Sequence, residues 1–189
     1  MHRRLFAMGL AYVAASGVLI ATHRAPGATP PHALPPVEGG GPTTWFAQIR
    51  PFCNPVEVEV ALRSRPVPAG FEGGAYAAAC LALAGKVDKA RALIDALPAN
   101  DRARAAGVVF EVAHPVADAG DDRAAGPIME MVIEYGPKHY MALYHAGMSE
   151  YALGQPDPAR RNLAEFLKLY HEDDGWRRNA VEVLERLGR

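Results

Sequence analysis

Three glycines, Gly85, Gly120 and Gly154, stand 35 and then 34 residues apart, and their surroundings recur in register. Five residues after each comes a small side chain: Ala90, Ala125 and Ala159. Nine and twelve after come bulky apolar ones: Ile94, Met129 and Leu163, then Leu97, Val132 and Phe166. Seven before each glycine sits Ala78, Ala113 or Gly147. A period near 34 marks a stacked helix–turn–helix array. A glycine that closes an apolar helical run suits the left-handed residue ending a helix. Small residues on either side let two helices approach closely, and the bulky pair lies on one helical face, where it fills the seam with the next hairpin.

The closest pair of segments is Gly-Lys-Val-Asp-Lys-Ala-Arg at 85–91 and Gly-Gln-Pro-Asp-Pro-Ala-Arg at 154–160. With the spacing above, they make residues 71–173 resemble the tetratricopeptide repeat, in three degenerate units. The departures are plain. No unit carries the family's frequent tryptophan near the start of its first helix, and only the middle one keeps a terminal proline, Pro137. Pro115 and the Gly126-Pro127 pair are expected to kink or shorten the middle unit's helices. The resemblance implies an all-α, right-handed solenoid of helical hairpins, with helices near 71–84, 87–97, 102–119, 122–135, 138–153 and 157–170. A capping helix follows near 175–187, within a C-terminal segment 174–189. Trp176, Ala180, Val183, Leu184 and Leu187 share one stripe of it, and a charged opposite face is what a terminal cap needs.

Ahead of the repeats, residues 44–70 are expected to form an irregular helical cap anchored by Trp45, Phe46, Ile49 and Phe52. Asn54-Pro55-Val56-Glu57 offers an N-cap, a proline at the first helical position and an acid three residues on, although Val56–Val60 alternates like a strand. A short helix is the choice, since no partner strand is apparent.

The first residues read Met-His-Arg-Arg, and Leu5–Thr22 then carries no charge. Eighteen such residues span roughly 27 Å as a helix, close to a bilayer core. No good small-x-small cleavage site follows, since the candidates run into His23, Arg24 and Pro26, so residues 1–24 are expected to be a signal anchor, with secretion after signal cleavage as the alternative. Arg3 and Arg4 place the N-terminus in the cytoplasm and the repeats outside, in a periplasmic setting. Residues 25–43, rich in Pro and Gly, read as a spacer. The chain has two cysteines, Cys53 and Cys80. An even count in an exported domain points to a disulfide, with two buried thiols as the alternative.

A formal net charge of −1 gives no electrostatic case for nucleic acid. No phosphate loop, dinucleotide fingerprint or G-x-S-x-G element occurs, so neither catalytic residues, cofactor nor small-molecule substrate is expected; Gly73-Gly74 lacks the preceding strand a phosphate loop needs. His114, His139, His145 and His171 fall in the second half, with Glu130, Glu134 and Glu150 nearby in sequence. None forms an H-x-x-x-H pair, and no metal ligand is assigned. In the resembling family the first helix of each unit lines a concave groove. That face here selects Phe110, His114, Asp118, Met141, Tyr144, Met148 and Tyr151 as a partner-binding groove, although the same stripe is equally compatible with helix packing. The Lys, Arg and Asn clamp that the family uses for chaperone tails is absent. The expectation is a membrane-anchored, extracytoplasmic scaffold or adaptor for a protein or peptide. The alternatives are an assembly factor of an envelope system, such as secretion or cytochrome maturation, and a metal-binding protein or enzyme using the histidines and glutamates.

Overall fold

The computed structural model describes residues 40–188, and these form helices and no strand. The anchor at 1–24 and most of the spacer at 25–43 lie outside the described residues. Among the described residues, no helix is long and apolar enough to cross a membrane. The elements are α1 (Pro42–Ile49), a 3₁₀ turn (Arg50–Phe52), α2 (Val58–Ser64), α3 (Phe71–Leu83), α4 (Val87–Asp95), α5 (Ala99–Asp118), α6 (Asp122–Tyr135), α7 (Tyr140–Ala152), α8 (Pro156–Leu169) and α9 (Gly175–Leu187).

The three frame glycines end α3, α5 and α7 in the same way. Their φ angles are +71°, +76° and +73°, a region open to glycine and costly for side chains bearing a Cβ. At each turn the glycine N–H donates three residues back, and the next residue's N–H donates five back. The pairs are Gly85 to Ala82 (2.9 Å) with Lys86 to Leu81 (2.9 Å), Gly120 to Ala117 (2.9 Å) with Asp121 to Val116 (3.2 Å), and Gly154 to Tyr151 (3.1 Å) with Gln155 to Glu150 (2.8 Å). This double bond pattern satisfies carbonyls that a helix end would otherwise leave unpaired.

Each helix from α3 onward packs on the next. Next-but-one contacts join α3 to α5, α5 to α7, α7 to α9, and α4 to α6. The recurrent small residues are buried between the helices: Ala78, Ala90, Ala125 and Ala159 are fully buried. Gly147 has no room for a side chain, since a Cβ there would lie 2.7 Å from Leu163 Cγ on α8. Ile94, Met129 and Leu163, the bulky residues nine after each glycine, are also fully buried.

Two local expectations are corrected. Pro115 and Pro127 do not shorten their helices: α5 continues past Pro115 to Asp118, and α6 runs through Pro127 to Tyr135. Each proline forgoes a single backbone bond, while α5 and α6 pack against each other and against α7. Gly126, beside Pro127, allows the approach to α7, because a Cβ there would lie 3.3 Å from Ser149 Cβ. The second correction concerns α2, which begins at Val58 rather than directly after Asn54. Asn54 caps the turn before it: its Oδ1 accepts from the N–H groups of Val56 (3.1 Å) and Glu57 (3.0 Å), and its Nδ2 donates to Glu57 Oε2 at 2.8 Å.

The N-terminal hairpin covers α3. Trp45, Phe46 and Ile49 are buried, Phe46 stacks on Tyr76 with ring centroids 4.7 Å apart, and Cys53 is disulfide-bonded to Cys80 of α3. Gly73 opens no phosphate loop: a Cβ on it would fall 1.9 Å from the Pro68 carbonyl oxygen, so its role is close packing against the preceding loop. At the other end, Asp174 caps α9 by accepting from Arg177 N–H at 3.2 Å, and Ala180 and Val183 join Leu143, Leu163 and Phe166 in one apolar cluster.

Candidate functional site

A cleft of about 310 Å³ opens between the end of α5, the start of α6, α7 and the first turn of α9. Asp118, Tyr144, His145, Met148, Tyr151 and Trp176 are among its lining residues. The helical repeat explains the α7 contribution, since residues three and four apart share a face. Four of the seven residues selected from the sequence, Asp118, Tyr144, Met148 and Tyr151, therefore meet at one cleft. Phe110 and His114 lie beside it, while Met141 is half-buried and outside the lining.

The stripe on α7 is not uniform. Tyr144 is only 4% exposed. Its ring packs against Phe166 at 5.1 Å and edge-on to Trp176 at 4.9 Å, and its hydroxyl accepts from Asn179 Nδ2 at 3.3 Å. Met148 and Tyr151 are half-buried and pack on the rim of the same apolar cluster. Tyr144 is thus a wall of the core that one edge of the cleft reaches, whereas Met148 and Tyr151 present surface.

Behind this wall lies a histidine cluster. Phe110 stacks on His114 at 4.8 Å and tilts against His139 at 4.1 Å. His114 meets His145 edge-on, with ring centroids 4.8 Å apart. Asp118 Oδ1 is 3.5 Å from His114 Nε2 and 3.7 Å from His145 Nε2. Burial, and then the neighbouring His114, push the His145 imidazole down to about 4. His145 is therefore neutral across the ordinary pH range. Burial also lowers His139, whose Nδ1 accepts from Ala142 N–H at 3.3 Å and so caps α7. His171 is exposed in the turn before α9.

The glutamates go elsewhere. Glu134 receives Arg91 in a two-pronged contact, at 2.7 and 2.9 Å, joining α6 to α4. Glu150 is buried and accepts from Asn162 Nδ2 at 2.8 and 2.9 Å. Burial first, and the adjacent Glu130 carboxylate, push its carboxyl up from the usual range. Neither joins the histidines. The carboxylate that does is Asp118, four residues after His114 on α5, with His145 supplied by α7. A search for paired histidines passes over this set, because one partner is an aspartate and the other comes from a different helix.

No protein-family model, curated protein or solved structure matches this chain.

Proposed function

We propose that this chain is a non-catalytic protein-interaction module. In this reading, the three glycine-framed hairpins stack as a right-handed solenoid resembling tetratricopeptide repeats. The uncharged Leu5–Thr22 run anchors it, so that it acts as a scaffold or adaptor on the extracytoplasmic side. The observation that carries the reading is the cleft itself. It follows the row α5, α7, α9, and its rim offers Met148, Tyr151 and Trp176, side chains that adapt to a partner and bring apolar area at modest ordering cost. The occupant is a peptide segment or helix of another protein that inserts an apolar side chain between Tyr151 and Trp176.

The test uses the full chain in membranes. A photo-crosslinking residue at Met148 should trap a discrete protein, and the same residue at Arg123, outside the cleft lining, should not. Tyr151→Ala should then weaken binding of the trapped partner by ~1–2 kcal/mol without changing the melt. Equal trapping from both positions, or none from Met148, would remove the cleft as the partner surface.

A further inference from the structure

We propose that His114, Asp118 and His145 form a binding site for a first-row divalent transition-metal ion, Zn²⁺ being the ion that suits them best. The three candidate ligand atoms lie within 4.8 Å of one another. A tetrahedral zinc ion with bonds of 2.0–2.1 Å holds its ligand atoms about 3.3 Å apart. The two aspartate–imidazole separations, 3.5 and 3.7 Å, are already near that edge length. Only the separation between the two imidazoles has to contract, and both are side chains with rotatable χ angles.

A second observation points the same way. His145 is 5% exposed, and His114 Nε2 and His145 Nε2 are both buried with no hydrogen-bond partner among the described residues. Buried polar atoms are normally satisfied, because leaving one unpaired costs free energy. Here two such nitrogens converge on the same carboxylate oxygen. Two imidazoles and a carboxylate suit zinc and its neighbours rather than magnesium or calcium, which prefer all-oxygen sites. Three protein ligands leave one position for water or for a partner's side chain. Asp118 and His145 also line the cleft, which gives an ion a route from solvent. Once bound, the ion would tie α5 to α7, and so the second hairpin to the third. The site is independent of the partner reading, since a peptide can occupy the cleft with or without it.

The test is direct metal titration of the full chain, purified in detergent without a polyhistidine tag and stripped with chelator. Cobalt(II) should bind at one equivalent per chain, with the visible absorption of a low-symmetry four- or five-coordinate site, and Zn²⁺ should displace it. Asp118→Asn and His114→Gln should each weaken uptake by about 100-fold, while His171→Ala leaves it unchanged. Asp118 is exposed, so its variant keeps the test valid if His145→Gln fails to fold. Absence of stoichiometric cobalt or zinc binding, or binding that survives both Asp118→Asn and His114→Gln, would overturn the site; in that case the cluster is a histidine–aspartate contact without an ion.

Discussion

The first and third hairpins share one frame and put opposite things on it. Both end their first helix at a glycine with positive φ and the same pair of backbone bonds. Ten, six and three residues before that glycine, α3 carries Ala75, Ala79 and Ala82, all fully buried. The same three positions of α7 carry Tyr144, Met148 and Tyr151, which line the cleft. On α3, α1 packs through the Phe46–Tyr76 stack, and Cys53, just after the 3₁₀ turn, is bonded to Cys80. The face of α7 is left as a cleft behind which the histidines gather. Frame positions, then, determine where helices turn and approach, while the residues between them decide whether a face is sealed or open. The run Ala77–Ala82 of α3 is buried throughout, so this stretch offers no side to solvent.

Substitutions that cross the two faces sharpen this contrast. The largest effect is expected from Tyr144→Ala, which should cost ~3–5 kcal/mol in a denaturant melt, as for other large-to-small aromatic changes in a core. A loss below ~1 kcal/mol would mean that Tyr144 belongs to the open face rather than the wall. Next comes the staple: replacing both Cys53 and Cys80 with Ala opens a loop spanning 27 residues and should lower stability by ~3–4 kcal/mol in the chain-entropy picture. Hydrogen exchange should locate that loosening in α1 and α3 and leave α7 protected. Gly147→Leu tests the frame shared by both hairpins. It drives a side chain into Leu163 and should cost ~1–3 kcal/mol or more, whereas Gly175→Ala, where a Cβ meets nothing, should be nearly silent.

The smallest effect is a matter of pH. The Glu150 carboxyl is held above its usual range by burial, so the fold binds its proton more tightly than the unfolded chain does. Its contribution is fully present below the unfolded carboxylate pKa and is lost as pH rises through the raised folded value. Wild-type melting temperature should therefore fall, relative to Glu150→Gln, as pH rises above the usual carboxylate range. Parallel pH profiles for the two proteins would show that Glu150 titrates normally.

Much of the helical order was legible in the residues because its signals are local. A left-handed helix end demands a glycine, so Gly85, Gly120 and Gly154 marked three turns from their spacing alone. The even cysteine count led to the Cys53–Cys80 pair for a comparably simple reason. What escaped was tertiary. The prolines at 115 and 127 read as residues that kink or shorten a helix, but α5 and α6 run on past them, since packing on both outweighs one lost backbone bond each. The α7 stripe showed that Tyr144 and Tyr151 share a face. Which of them is covered depends on Trp176 and Phe166, far along the chain. The meeting of His114 and Asp118 with His145 has a half-signal in sequence, the spacing of four on α5, and needs α7 to complete it.

The contrast between the two hairpins can be measured without knowing any partner. Met148 and Ala79 are equivalent frame positions, so a cysteine is placed at each in turn and its labelling by a small maleimide is timed in the native full chain. A cysteine at Met148 should label within the time course of an exposed thiol, and one at Ala79 should label only as fast as the protein unfolds. Protection at both positions, or equally rapid labelling at both, would contradict a sealed first hairpin and an open third one.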